Sequence, residues 1–285
     1  MAETLRRHWP EYAIEALFLA AFVVVAGVVS AWIPAAGGLL PDSMLPLARR
    51  GLAGAAIGLM LMAMVYSPWG RRSGSHLNPA ITLAYLRLGK IGRWDALFYL
   101  LAQVGAGLAA AALLRGGVLW PAAASPSLLP PSVGPTALWV GFVTELALSA
   151  AAMLLILFTS NHASWLRWTG VLYGVLVMLI VACAEPLSGF GMNLARLLAL
   201  SPHGATEGWV WIGLLPPLLG AQLAVETYRL LTGRSQVLCA KLAHNTHGRC
   251  IFRCQHPWQT RALAMEALRR QAAGGRRSRS GISGR

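Results

Sequence analysis

Charged residues are scarce in this chain, at 12% of its 285 residues, whereas 56% are hydrophobic. Soluble domains carry about 25% charged residues, so the chain lacks the side chains to cover a water-exposed surface. Signals of enzymatic chemistry are also missing, because the sequence has no nucleophile–base constellation and no phosphate-binding loop. We therefore predict an integral membrane protein that is not an enzyme and needs no catalytic cofactor.

Acidic residues are the rarer charged class, with 10 Asp and Glu against 24 Lys and Arg, for a net charge of +14. A nucleic-acid-binding protein can have such a balance. Half of these basic residues, however, lie from Arg229 onward, at the end of the last apolar run and beyond it. A basic tail beside a membrane is typical of topology control and of attraction to anionic lipid. The expected partner is therefore the lipid bilayer and not nucleic acid.

Six apolar runs approach or exceed the length of about 20 residues that a helix needs to cross a bilayer. Breaks rich in Pro, Gly and Ser separate the runs. They cover residues 12–33, 47–66, 94–114, 137–159, 166–184 and 209–231. Two further apolar stretches, residues 77–88 and 192–200, are too short to cross, and we predict that they are re-entrant half-helices buried in protein.

The two halves of the chain repeat one order of polar residues. The first half holds Glu15, Asn78-Pro79-Ala80 and Gln103; the second holds Glu145, Asn193-Leu194-Ala195 and Gln222. Three spans in each half, an odd number, give the halves opposite directions through the bilayer, with the functional site near the midplane between them. We predict one membrane domain over residues 11–232, with repeats at about 11–115 and 136–232.

Two stretches around these asparagines carry the most specific motifs. Residues 73–82 are Ser-Gly-Ser-His-Leu-Asn-Pro-Ala-Ile-Thr, and residues 189–196 are Gly-Phe-Gly-Met-Asn-Leu-Ala-Arg. They resemble the two signatures of the major intrinsic protein family, the aquaporins and glycerol facilitators. The resemblance implies an all-α, aquaporin-like fold of six transmembrane helices and two half-helices. It also implies a passive channel for water and small neutral solutes, assembled as a homotetramer.

Each signature asparagine begins a short helix, where free N–H groups and the positive end of the helix dipole point outward. Half-helices entering from opposite faces would bring Asn78 and Asn193 together at the midplane, where their amides can donate to a passing oxygen. The opposed positive ends raise a barrier to cations and protons. The alternative is that both asparagines only cap helices. Leu194 replaces the family's proline, so we expect a looser second half-helix.

The resemblance also assigns a selectivity filter. By position, its members are Ile57, Val181, Phe190 and Arg196. Gly58 is the alternative to Ile57. Strict water channels have histidine at the position of Val181, and glycerol facilitators share Phe190 but have aspartate where this chain has Leu197. Three apolar walls and one guanidinium suit glycerol, urea or metalloid acids, and the sequence does not rank these solutes.

Glu15 and Glu145 lie inside predicted spans, where ionisable side chains are costly and are functional or partnered. In the family, the matching glutamates bond the backbone of the re-entrant loops. The resemblance therefore implies a structural role for them, and Gln103 and Gln222 are grouped with them as structural intramembrane residues. The alternative is a proton relay, which would make the protein a proton-coupled carrier of small solutes.

The basic tail, residues 233–285, holds three of the four cysteines. Three thiolates and an imidazole can bind Zn²⁺ tetrahedrally. The candidate ligands are Cys239, His244, Cys250 and Cys254. Their spacing is not that of a standard zinc finger, and a loose tail with free thiols is the alternative. A non-conducting membrane protein with a metal-sensing tail is the second alternative to a channel.

Lys and Arg are distributed unevenly about the spans. With the N-terminus inside, the cytoplasmic segments hold 20 of them and the external segments 4. Cytoplasmic loops carry the excess of basic residues in membrane proteins. We therefore predict a protein of the plasma (inner) membrane whose N-terminal segment, residues 1–10, and tail both lie in the cytoplasm.

A reporter fused after Arg285 should therefore report a cytoplasmic location, because the basic tail resists translocation. The measurement pairs a phosphatase, active only outside, with a fluorescent protein that folds only inside. The same reporters inserted after Ser125, in a predicted external loop, are the control and should give the opposite result. An external tail fusion would overturn this topology.

Overall fold

The computed structural model describes residues 1–32, 44–115, 135–189, 191–196, 207–233, 237–244 and 250–256. Helices dominate these residues, and no strand occurs among them. The helices are α1 (Ala2–Trp32), α2 (Pro46–Tyr66), α3 (Pro68–Ser73), α4 (Pro79–Arg87), α5 (Arg93–Arg115), α6 (Pro135–Ser160), α7 (Thr169–Ser188) and α8 (Glu207–Thr232). A 3₁₀ turn, Leu166–Trp168, precedes α7.

Long apolar helices form the frame of the molecule. By length and composition, α1, α2, α5, α6 and α7 can each cross a membrane. Helix α8 has 26 residues, about 39 Å at 1.5 Å per residue, which exceeds a hydrocarbon core of about 30 Å. These six helices are the six that the apolar runs predict. The short helix α4 matches the first predicted half-helix.

Helix α1 begins ten residues earlier than its apolar run, at Ala2 and not at residue 12. The early turns are polar, but they are bonded to other helices. The Tyr12 hydroxyl donates to Asp95 Oδ1 at 2.6 Å, and Arg72 Nε donates to Glu11 Oε1 at 3.0 Å. Residues 2–10 therefore form the first turns of α1.

The helix pairings repeat in the two halves. Helix α1 packs along α5, α6 packs along α8, and α2 meets α7 between these pairs. Since α1, α2 and α5 correspond in order to α6, α7 and α8, these contacts are those of an inverted repeat. Helix α4 lies against α5 and α8. The first half-helix is thus enclosed by protein, as a segment that does not cross the bilayer must be.

Glycines allow the central pair, α2 and α7, to approach closely. A Cβ at Gly58 would lie 2.5 Å from the backbone oxygen of Gly174, and one at Gly54 would lie 2.5 Å from that of Met178. Small residues at such crossings are the usual way in which helices pack in lipid. The central contact therefore depends on the absence of side chains at these positions.

Replacing Gly58 with alanine should destabilise the protein, because the new methyl group meets backbone that cannot rotate away. We expect a loss of about 1–3 kcal/mol in the free energy of unfolding, as for other overpacked sites. Unfolding of the protein in mixed detergent micelles by increasing SDS measures it. Gly51→Ala is the matched control in the same helix, since a Cβ there meets nothing within 4 Å. Equal stability of the two variants would contradict the close approach.

Candidate functional site

Asn78 caps the first half-helix. Its backbone is extended, with φ of −152°, and its side-chain oxygen accepts a hydrogen bond from the backbone N–H of Ala80 at 2.9 Å. Pro79 occupies the first helical position, where its missing N–H leaves no donor unsatisfied. The cap and the proline together begin a helix at a fixed residue inside the bundle.

Asn193 has the same position in the second half. Its side-chain oxygen accepts from the N–H of Ala195 at 3.1 Å, and residues 194–196 are helical. Leu194 therefore replaces proline without loss of the cap. The remainder of the predicted half-helix, residues 197–200, lies outside the described residues.

The two asparagines bond across to each other's loop. Asn78 Nδ2 donates to the Met192 backbone oxygen at 2.9 Å, and Asn193 Nδ2 donates to that of Leu77 at 2.6 Å. Each amide nitrogen carries two N–H donors. One crossing bond therefore leaves each amide a second donor for an acceptor beside it.

A cavity of about 20 Å³ adjoins both amides. It holds about one water molecule, which needs at least 10–15 Å³. Its lining residues are Phe22, Leu61, Leu77, Asn78, Tyr173, Val177, Met192 and Asn193. Two amide donors thus face an otherwise mainly apolar space, which is the arrangement that a passage for single water molecules requires.

The Glu15 carboxylate holds the first re-entrant loop. It accepts bonds of 2.7–3.0 Å from the Ser73 hydroxyl, from the backbone N–H groups of His76 and Leu77, and from Gln103 Nε2. Glu15, Gln103 and Ser73 are all 0% exposed. Burial at this depth is tolerated because the charged group has several donors.

The loop that Glu15 holds is strained. Ser75 and Leu77 have φ of 56° and 53°, a region that non-glycine residues rarely adopt. Such conformations persist only when the surroundings determine them. The bonds that Glu15 accepts from the N–H groups of His76 and Leu77 provide that constraint.

Glu145 makes the corresponding contact in the second half. Its Oε1 accepts from the backbone N–H of Gly191 at 2.7 Å, two residues before Asn193. Gln222, grouped with it as a structural intramembrane residue, is half-buried on α8. These contacts are those of carboxylates that bind loop backbone, at matched places in the two repeats.

Ile57 and Val181 lie on the pore side of their helices. Each is one helical turn from a residue that lines the cavity, Leu61 on α2 and Val177 on α7. Both are buried, at 1% and 3% exposure. Because α2 and α7 run in opposite directions, both extend the lining toward the same end. Gly58 instead faces the backbone of α7, which favours Ile57 as the filter residue.

Arg196 is 1% exposed and lies in the helical turn that Asn193 caps. Glu185 and Glu145 interact electrostatically with its guanidinium. A cation buried at this depth requires such partners. Phe190, the remaining predicted filter residue, lies outside the described residues.

The predicted metal ligands of the tail are brought together. The three cysteine sulfurs and one ring nitrogen of His244 lie within 4.8 Å of one another. Cys239 Sγ is 3.5 Å from Cys250 Sγ, and His244 Nε2 is 3.1 Å from Cys254 Sγ. Hydrogen bonds from Cys239 and Cys250 lower the pKa of the Cys254 thiol, while the same contacts and burial raise those of Cys239 and Cys250. Thiolate is the form in which cysteine binds metal.

Paired helices, two loops that meet at asparagines and a buried arginine beside them define a membrane channel built on an inverted repeat. The profile of one family, described as Major intrinsic protein, matches residues 8–228. The chain belongs to the major intrinsic protein family and is a channel for water and small solutes.

Individual relatives agree with this assignment. The chain is 37% identical to the lens fiber major intrinsic protein of Gallus gallus over 205 residues, covering 68% of this chain and 75% of that protein. It is 30% identical to the Glycerol uptake facilitator protein-like 6 of Lactiplantibacillus plantarum, covering 62% and 83%. The aquaglyceroporin from Plasmodium falciparum has a similar fold, with a TM-score of 0.56 at 18% identity, covering 78% of this chain and 95% of that one.

Replacing Glu15 with glutamine should loosen the first re-entrant loop, because an amide nitrogen cannot accept the bonds that the carboxylate accepts. We expect a loss of stability of about 1–3 kcal/mol and reduced water permeability. SDS unfolding in micelles and stopped-flow light scattering on proteoliposomes measure the two effects. Glu3→Gln, at an exposed glutamate of the same helix, is the control and should change neither. A Glu15→Gln protein with native stability would contradict the structural role.

Proposed function

We propose that this channel conducts small neutral solutes, with glycerol as the type example, together with water, and excludes ions and protons. One observation carries the proposal. Two apolar side chains, Ile57 and Val181, are buried one turn beyond the cavity, on two helices that face each other. The predicted filter cation, Arg196, is also buried and interacts with Glu185, one turn after Val181 on α7.

The chemistry of this filter suits amphipathic solutes. A polyol presents carbon on one side and hydroxyl groups on the other. Apolar walls take the carbon side without competing for hydrogen bonds, and a guanidinium with five N–H donors binds the hydroxyls. Valine also leaves the space that a histidine ring would fill in a strict water channel.

Charge in the same region opposes ions. The N-terminal ends of the two half-helices, at Asn78 and Asn193, face each other with positive dipole ends. A cation or a proton that enters meets these ends and the Arg196 guanidinium in a site with little water. A neutral solute does not experience this barrier.

The contacts of Glu15 support a passive channel over a proton-coupled carrier. Four donors occupy its carboxylate, and two of them are backbone N–H groups of the pore loop. A relay carboxylate must exchange protons, which would release this loop at every cycle. Flux through the protein should therefore show no coupling to a pH gradient, and no chemical conversion of the solute.

We also propose a homotetramer in the plasma membrane with both termini cytoplasmic. The basic tail supports that orientation. Exposed tryptophans lie at both ends of the bundle: Trp69, Trp165 and Trp168 on the side of the tail, Trp139 and Trp211 on the other. Aromatic belts of this kind are typical of the two membrane–water interfaces.

The filter assignment predicts the effect of replacing Val181 with histidine. The ring should narrow the pore, so glycerol flux should fall by about tenfold, the factor that about 1.4 kcal/mol of added barrier gives. Water flux should largely persist, because water is smaller and bonds to the ring. Stopped-flow light scattering on proteoliposomes under water, glycerol and urea gradients measures this ratio.

Val181→Ala is the matched control for the same position, since it widens the pore and should keep or raise glycerol flux. Arg196→Val should act differently, by lowering the barrier to cations and protons. Native vesicles that pass water but no glycerol, urea or undissociated metalloid acid would contradict the proposed solute class.

A further inference from the structure

Part of the tail, residues 237–244 and 250–256, lies on the first re-entrant loop. We refer to these residues as the tail segment. The His76 ring donates from Nε2 to the Ala240 backbone oxygen at 2.8 Å, and the Leu242 N–H donates to the Gly74 oxygen at 3.1 Å. Gly74 and His76 belong to the strained stretch that leads to Asn78. The tail segment thus bonds the backbone and the side chain of the pore loop itself.

The contact is a packed core and not a loose association. Ala240 and Leu242 are 0% exposed, and Lys241 between them is 1% exposed. Sequence composition gives no sign of this, because the tail as a whole is basic. Burying a lysine is costly, so the surroundings must compensate for the charge.

Phe252 packs on the same loop. Its ring stacks on His76 with a centroid distance of 5.4 Å and meets Tyr99 edge-on at 6.2 Å. A Cβ at Gly74 would lie 2.8 Å from this ring, and Gly74 has φ of +97°. Only glycine fits there. With the ring in place, His76 is 1% exposed, so its side chain is shielded from solvent.

The tail segment is also tied to two loops on the same side of the bundle. The Leu238 N–H donates to Asn161 Oδ1 at 2.6 Å, in the connection from α6 to α7. The Arg253 N–H donates to the Lys90 oxygen at 2.9 Å, in the connection from α4 to α5. The two arms of the segment meet where the Gln255 N–H donates to the Leu238 oxygen at 2.8 Å.

The cysteine–histidine cluster joins these two arms. Cys239 and His244 lie on the first arm, and Cys250 and Cys254 lie on the second. Tetrahedral zinc with Zn–S bonds of about 2.3 Å places its sulfurs about 3.8 Å apart. The Cys239–Cys250 distance of 3.5 Å is close to that separation.

The charge around the cluster is also suited to a zinc ion bound by three thiolates. Three thiolates around Zn²⁺ carry one net negative charge. The buried Lys241 interacts electrostatically with Cys250, so its ammonium group can balance that charge. Zinc is the ion that three cysteines and one histidine in tetrahedral geometry most often hold.

We propose that Cys239, His244, Cys250 and Cys254 bind one Zn²⁺, and that this ion holds the tail segment over the mouth of the pore. The described residues of the segment contain no helix or strand. Small metal sites commonly provide the folding free energy of such segments. Zinc bound there restricts flux through the channel, and its loss frees Phe252 and Ala240 from the loop and raises that flux. The gate rests on the conducting pore proposed above.

Zinc content tests the site directly. Full-length protein purified under reducing conditions should hold about one zinc per chain by elemental mass spectrometry. The Cys250→Ser/Cys254→Ser variant should lose it. Cys183→Ser is the matched control, because Cys183 is exposed on α7 outside the cluster. This variant should keep its zinc. Wild-type protein without zinc, or full zinc in the double variant, would overturn the site.

Permeability tests the gate. In proteoliposomes, a chelator on both faces should raise water flux several-fold in wild-type and Cys183→Ser protein. The double variant should conduct at the raised level with or without zinc. Phe252→Ala should keep its zinc yet conduct more than the wild type, since the closing ring is gone, and wild-type flux in this variant would contradict that closure.

The two proposals fail in different ways. Equal water flux with and without zinc, in protein that holds zinc, would overturn the gate alone. Vesicles that never conduct water under either condition would overturn the conducting pore and the gate together. Zinc content is measured without any flux and decides the metal site in both cases.

Discussion

Two crossed hydrogen bonds at the centre of the molecule are the constraint on which the remaining structure depends. Asn78 donates to the Met192 oxygen and Asn193 to the Leu77 oxygen, at 2.9 and 2.6 Å. Both acceptors belong to irregular backbone, which a bilayer tolerates only when its polar groups are bonded within the protein. The asparagines satisfy carbonyls, while Glu15 and Glu145 satisfy N–H groups of the same loops. A pore can exist here because each loop donates a hydrogen bond to a backbone oxygen of the other.

The same loops connect the pore to the tail. His76 stands two residues before Asn78, and its ring bonds the Ala240 oxygen while Phe252 stacks on it. A movement of the tail segment therefore changes the contacts of residues that directly precede the pore asparagine. If zinc controls the tail segment, as proposed, the tail acts on the pore loop by direct contact with His76.

Much of this structure is predictable from sequence, and the exceptions have physical reasons. Apolar length predicts the six long helices, and asparagine at the start of short apolar stretches predicts α4. The polar start of α1 and the helix α3 escape prediction, because partners distant in the chain, such as Arg72 and Glu11, stabilise them. Sequence alone does not decide between Ile57 and Gly58 as the filter residue, because the decision depends on which of them faces α7. Docking of Ala240 on His76, 164 residues apart, has no periodic signal at all.

The loops that meet at Asn78 and Asn193 form a water conduit. The temperature dependence of osmotic water flux tests it most directly, in proteoliposomes with a zinc chelator on both faces. A continuous file of water predicts an activation energy close to that of diffusion in bulk water. An activation energy equal to that of protein-free vesicles would show that water crosses through lipid alone, and would contradict a water conduit through the protein.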